Sequence, residues 1–331
     1  MNVAFLDHSL HFKTTQSTRF FIALLEEWFG AVVVIDLARL WDEIPKRRWD
    51  LIVVFQHQYP VEVLEALGCD NIVLVPMIDD CPLEPGYWRK YQKFKVLCFS
   101  RTLAKVVESC CPESLTVTYR PPVPATQVGF QNGLRGFFWP RTHRLDWNHI
   151  GPLAAPFAWR AFHLHAANVP PGALLPGPDD LPPGVLVTTS WFERPEDYAA
   201  ALAEANVFFS PRRHEGIGMA VLEALALGQC VVAPDHPTAS EYITNGTSGL
   251  LFDPDARVPL DFSGAEDLGR RARHEAIEGR RLWEASLPGL RAFLERRPTR
   301  SLTAFHPWIV LRGRGMALVR TILYSLRGPR K

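Results

Sequence analysis

None of the six cysteines (Cys69, Cys81, Cys98, Cys110, Cys111 and Cys230) stands in a C-x-x-C pair, and none is matched to spaced histidines. A zinc-stabilised fold is therefore excluded. Several of these thiols lie in apolar runs such as Val96–Phe99, where cysteine is a small hydrophobe, so a reducing compartment is expected. Net charge is nearly absent, +1 over 331 residues, which speaks against a general nucleic-acid binder. No apolar run is long enough to span a bilayer. The longest weakly charged stretch, residues 216–234, holds Glu223 and is cut by Gly228-Gln229. The segment Met1–His8 has no basic region and too short an apolar run for a signal peptide, so the expected location is cytoplasmic.

What is present is 47% apolar and 21% charged residues, the make-up of a soluble protein with a packed core. The length suits two domains. Charge is unevenly placed: residues 299–331 carry +7 and no acid, which leaves the remainder at −6.

Short runs rich in Val, Ile and Leu recur through the first 120 residues: Val3–Leu6, Ala31–Ile35, Leu51–Phe55, Ile72–Val75, Val96–Phe99 and Leu115–Thr118. Continuous rather than alternating apolar character predicts strands buried on both faces, as in a parallel sheet covered by helices. Helical patterns lie between them, for example Ser17–Phe29 and Arg101–Ser109. A stiff segment, residues 120–126, holds three prolines and has no ladder potential. A second series follows: Gly136–Trp139, Ala161–His165, Val185–Thr188, Val207–Phe209, Val231–Ala233 and Leu250–Phe252. Residues 170–183 predict a proline-rich surface loop, and residues 265–283 and 290–296 predict two helices. The expected fold is α/β, with two doubly wound Rossmann-like domains facing a cleft. The expected boundaries are 1–124, 125–298 and a tail over 299–331.

The stretch from Ala205 to Gly228 reads as strand, loop and helix, closed by Gly228. The helix is apolar nearly all round, and its one charge is Glu223. A buried carboxylate needs a partner. A vicinal diol of a ligand would serve, because two carboxylate oxygens accept two hydroxyls; so would a nearby arginine in a purely structural ion pair. Upstream, Glu215 lies on the loop. The backbone N–H groups of Gly216, Ile217, Gly218 and Met219 can cradle a phosphate at the positive end of the helix dipole. A second reading is open here: Gly216-x-Gly218-x-x-Val221 followed by Asp235 has the outline of a dinucleotide fingerprint lacking its third glycine.

From Ala205 to Asp255 the chain resembles the retaining nucleotide-sugar glycosyltransferases of family 4, which have the two-domain GT-B fold. The likeness is carried by Glu215 and Glu223, the helix end Ala224–Gly228, the strand Val231–Ala233, the Ser240–Ile243 helix start, and the Asn245-Gly246 turn before Gly249–Phe252. The resemblance implies that Glu215 contacts the transferred sugar, that Glu223 binds the donor ribose, and that the Gly216–Met219 amides hold sugar and diphosphate. It implies an Arg and a Lys after the first strand of the second domain. Here that place holds Arg141 and Arg144, with the lysine absent, and an arginine clamp can substitute. It also implies no cofactor, a nucleoside diphosphate sugar as substrate, and a glycan or lipid-linked acceptor of the bacterial cell-surface polysaccharide type. Same-face attack assisted by the leaving phosphate is the mechanism implied. A non-catalytic sugar-nucleotide-binding subunit is the alternative, favoured by the missing lysine.

The first domain departs from that pattern, because its first loop, residues 8–17, has no paired glycines. Lys13 and Thr14 there, His57 after the third strand and Asp79 after the fourth are the acceptor-side candidates. Asp253-Pro254-Asp255 reads as a turn, and no metal is expected. The tail interleaves Trp308–Leu311, Met316–Val319 and Ile322–Tyr324 with arginines, a pattern suited either to an anionic membrane surface or to a terminal helix.

Overall fold

The computed structural model describes residues 1–299 except His143, Pro156 and Pro178. The tail expectation beyond Thr299 lies outside the described residues. Two compact units divide the described chain: Met1–Val117 joined by residues 286–299, and Thr118–Ala285. These limits differ from boundaries at 124/125 and 298. The difference arises because the end of the last helix returns to the first unit, which chain order alone does not reveal.

The first unit holds six parallel strands: β1 (Val3–Asp7), β2 (Val32–Asp36), β3 (Leu51–Gln56), β4 (Ile72–Pro76), β5 (Lys95–Cys98) and β6 (Ser114–Thr116). Their order is β2-β1-β3-β4-β5-β6. Both faces are buried, as the continuous apolar runs require. Ala4, Leu6, Ile52 and Val54 join a core with Trp88 and Leu103. From β1 and β3, Phe5 and Phe55 pack on Phe21 of the Arg19–Phe29 helix, with ring centroids 6.1 and 6.4 Å from its own.

The second unit holds β7 (Leu134–Phe138), β8 (Trp159–His165), β9 (Leu186–Thr189), β10 (Val207–Phe209), β11 (Cys230–Pro234) and β12 (Leu250–Phe252). All are parallel, in the order β12-β11-β10-β7-β8-β9. Every strand lies within two residues of its expected run. The two expected terminal helices are one, Ala265–Glu295, which runs through Pro288. Proline removes one hydrogen bond and crowds the preceding turn, but burial of Leu290 and Leu294 beyond it holds the helix together.

Strand order locates the binding edges. In a doubly wound sheet, ligands bind beyond the carboxyl ends of the strands where the winding reverses. That point is between β1 and β3 in the first unit and between β7 and β10 in the second.

Candidate active site

In the second unit the loop after β10 runs from Ser210 to Gly218 and leads into the Met219–Leu227 helix. Ser210 ties the loop to the sheet, its N–H donating to the Val232 carbonyl (2.8 Å). Ile217 is buried and anchors the turn. Gly218 takes φ +75°, a left-handed conformation that a side chain would strain, and it begins the helix without a side-chain cap. The first N–H groups of the helix therefore have no intrahelical acceptor and stay available to an anion. The Thr238 hydroxyl donates to the Glu215 carbonyl (3.2 Å), which fixes the loop from the side of β11.

Arg141 follows β7, the strand paired directly with β10. Its guanidinium lies 4.6 Å from the centroid of the Trp139 ring. Trp139 in turn is backed by His165 (4.8 Å) and Tyr198 (5.9 Å). Burial pushes the Arg141 pKa below its ordinary value, the nearby Arg212 cation adds to the shift, and Glu215 and Tyr198 oppose it. The Nε of Arg212 is itself buried with no hydrogen-bond partner. One desolvated guanidinium, a second whose Nε is buried, one carboxylate and a helix N-terminus thus meet at one strand-end. Such a cluster is poised for a bound anion, which would remove the repulsion between the cations.

Glu223 lies one turn further along the helix and is half-buried. Burial alone pushes its carboxyl up to about 7, with no cation pulling it back. Among the described residues it has no ion-pair partner, so the structural ion pair open from sequence is not formed. Its charge is felt by Tyr119 and Tyr198, whose hydroxyls burial and Glu223 both push upward.

The sign of the pH dependence follows. Between the ordinary carboxylate value and about 7, the folded chain binds a proton that the unfolded chain has released, so stability falls as pH rises through that window. Glu223→Gln is expected to raise stability at pH 8 by roughly 3 kcal/mol or somewhat less, at 1.36 kcal/mol per pKa unit. It should also flatten the slope between pH 5 and 7.5. Chemical denaturation across that range checks it, and destabilisation at pH 8 would restore the ion-pair reading.

Arg144 is exposed and near His214, which burial, His236, Arg213 and Arg144 together hold below the ordinary histidine range. Arg213 is taken up by Asp255 in a bidentate pair (3.0 and 2.8 Å). The Asp255 N–H closes a turn on Asp253 Oδ1 (2.9 Å), as the turn reading has it. The dinucleotide outline falls after β10, the fourth strand of its unit, rather than at a first βα turn, where that fingerprint belongs. Sequence reasoning missed Arg212 and Tyr198. Only the pairing of β10 with β7 reveals them.

In the first unit, Lys13 and Thr14 fall in the Leu10–Thr15 segment after β1, and His57 falls after β3, so the winding reversal gathers these three. Asp79 is exposed beyond β4, and it is Asp80 whose Oδ2 stands 3.9 Å from His57 Nδ1. Burial lowers the His57 pKa against the opposing pull of Asp80. Asp7 and His11, which sequence reasoning left aside, stand in the same group.

Residues 184–258 match the family model of the group 1 glycosyl transferases, a span that covers the loop, its helix and both glutamates. No curated protein sequence matches the chain. Among solved structures, a glycosyltransferase from Rickettsia africae ESF-5 is similar at 11% identity and TM-score 0.62, covering 88% of this chain and 98% of that one. A sucrose-phosphate synthase from Thermosynechococcus elongatus is similar at 11% identity and TM-score 0.63, over 88% and 97%. HepE from Anabaena, in complex with UDP and glucose, is similar at 13% identity and TM-score 0.58, over 88% and 99%. The fold is that of the GT-B glycosyltransferases. Family segment and fold together indicate a glycosyltransferase. The family segment begins just before β9 and ends past β12, so it takes in Glu215 and Glu223 but neither Arg141 nor the first unit. Among its described residues no helix is long and apolar enough to cross a membrane.

Proposed function

We propose that this glycosyltransferase moves a sugar from a nucleoside diphosphate donor to a hydroxyl of a glycan or lipid-linked acceptor, with retention at the anomeric carbon. One observation carries the reading. The desolvated Arg141 and Arg212, whose Nε is buried without a partner, converge with the uncapped Met219–Leu227 helix at the β7/β10 strand-ends. That is an anion site, and a diphosphate satisfies all three groups. Glu223, without a cation, accepts the two ribose hydroxyls; Glu215 contacts the sugar. Arg141 and the helix amides stabilise the charge that grows on the departing diphosphate, which is the largest electrostatic demand of the step. The complexes of HepE with UDP and glucose support a uridine nucleotide as the first donor to try.

The reading needs no metal, since two arginines and a helix dipole neutralise the diphosphate. The polysaccharide role, the cytoplasmic location and contact of the basic 299–331 tail with an anionic membrane surface belong to the same proposal. A thermal-shift panel of UDP-, GDP-, ADP- and TDP-sugars with EDTA throughout tests it. One nucleotide class should raise Tm, as a ligand at a hundred times its Kd adds about 2.7 kcal/mol to stability. No shift from any donor sinks the reading. A shift that appears only with Mg²⁺ or Mn²⁺ sinks its metal-free form. The anomeric configuration of the product, read by NMR, decides retention.

A further inference from the structure

In the second unit, Trp139 follows the last residue of β7 and is half-buried, whereas Phe137 and Phe138 before it are fully buried. Its ring is fixed on several sides. The indole N–H donates to the Ala167 carbonyl (2.8 Å), His165 meets the ring in a T-shaped contact at 4.8 Å, and Tyr198 lies at 5.9 Å. His165 is in turn stacked on Phe192 (4.8 Å, 12°). The Thr189 hydroxyl lies within hydrogen-bond reach of both His165 Nδ1 (3.0 Å) and His163 Nε2 (2.7 Å). Burial pushes the His165 pKa down to about 4 and lowers that of His163, so this shelf of rings is uncharged at neutral pH. The cation it carries is Arg141, whose guanidinium lies over the Trp139 ring.

Two arginines of this unit are held in different ways. Arg213 is gripped by Asp255, and the bidentate pair spends donors at two of its nitrogens. Among the described residues Arg141 is in no ion pair, and what holds it is a ring. An aromatic ring attracts a cation through its quadrupole rather than through a lone pair. The contact therefore leaves the N–H bonds of the guanidinium to oxygen acceptors. A carboxylate in its place would have to be displaced by any incoming anion. A tryptophan present only to fill the core would need no cation over its ring. Desolvating a guanidinium is costly, and Arg141 is desolvated beside a second cation, Arg212. That cost is offset when an anion arrives.

We infer that Trp139 is a positioning residue for the sugar transfer, an inference that rests on the proposed function above: its ring holds the Arg141 guanidinium at the β7 strand-end with its N–H donors free for the donor's diphosphate. Trp139 acts through Arg141 and touches neither the donor nor the reacting atoms. A long side chain left loose would have to be ordered each time a donor binds. Held on the ring beforehand, it meets the phosphate oxygens without that reorganisation, which is the condition for stabilising charge as it develops. His165 and the Ala167 carbonyl keep the ring itself from turning.

Trp139→Leu would also lose the bond to Ala167 and can fail for lack of folding, so the test keeps the shape of the ring. In the full chain, residue 139 alone is replaced by tryptophan analogues bearing one to four ring fluorines, which drain the π face that attracts a cation. Inorganic pyrophosphate stands in for the diphosphate of the donor, and its affinity is measured by calorimetry at low salt beside a melting curve. Weakening the contact lowers the fraction of Arg141 in the competent pose, and apparent affinity falls by that fraction. The expected result is a stepwise loss that reaches roughly tenfold, within the ~2- to 30-fold that a cation–π contact allows, at a level Tm. In an Arg141→Ala background, where Arg212 and the helix N-terminus remain, the same series should be flat. Wild-type protein that binds pyrophosphate with an affinity indifferent to fluorination overturns the inference and leaves the anion site standing. So does an equal loss in the Arg141→Ala background. Wild-type protein that binds neither pyrophosphate nor any donor of the panel overturns the proposed function, and the role of Trp139 falls with it.

Discussion

Arg141→Ala lowers kcat by on the order of 10²–10³-fold, the cost of removing one preorganised stabiliser of developing charge, while Tm stays level or rises. The pairing of these two outcomes is what makes the test sharp. In the free protein the Arg141 cation is desolvated and faces a second cation, Arg212, with Glu215 as partial relief. Removing one of two crowded guanidiniums relaxes the resting state even as it disarms the reaction, the usual relation between strained sites and stability. Turnover of the donor selected by the panel, measured beside a melting curve, checks both halves. A large fall in Tm with turnover retained would make Arg141 a structural residue packed on Trp139.

Lys95→Met should destabilise the fold by about 4 kcal/mol, since each buried acceptor left without its donor costs about 1–3 kcal/mol. Lys95 is fully buried, and its Nζ donates to Asn71 Oδ1 (2.8 Å), the Leu294 carbonyl (3.2 Å) and the Arg296 carbonyl (2.5 Å). Leu294 O has a second donor in Asn71 Nδ2 (2.8 Å), so the heavier losses fall on Asn71 and Arg296. Burial lowers the ammonium pKa from 10.5 to about 7. Between about 7 and 10.5 the unfolded chain binds the extra proton, so stability rises with pH across that window and the gain is lost as pH falls through about 7. In the methionine variant that slope should vanish. Urea denaturation at pH 6.5 and 9 checks both the size and the sign; an unchanged slope would mean that another group titrates.

How much of this was legible beforehand depends on range along the chain. The strands are continuous apolar runs, and burial on both faces writes itself into the sequence, so β1 to β12 were readable. Gly228 and the eight-residue spacing of Glu215 and Glu223 are equally local, and so was the turn at Asp253. Pro288 misled because it is a strong local breaker, overruled here by distant partners: Leu290 and Leu294 are buried, and Asn71 and Lys95 meet the carbonyls at the helix end. Arg212 and Tyr198 were hidden for a related reason. Each acquires meaning from which strand-ends lie side by side, and strand order is a property of the folded sheet that no window of sequence contains. Arg213 shows the converse, a residue beside the site that its pair with Asp255 takes out of play.

The discontinuity of the first unit has a consequence for birth on the ribosome. Its six strands are complete by Thr116, yet the chain that finishes it does not arrive until Ser286 and beyond. The second unit, contiguous from Thr118 to Ala285, emerges whole in between and can fold as it appears. Until residues 294–296 leave the exit tunnel, Asn71 and Lys95 face each other with their outer hydrogen-bond partners still unsynthesised. The half of the molecule made first is thus the half sealed last, and its nascent form must hold a buried ammonium open to water for the time taken to translate the whole of the other.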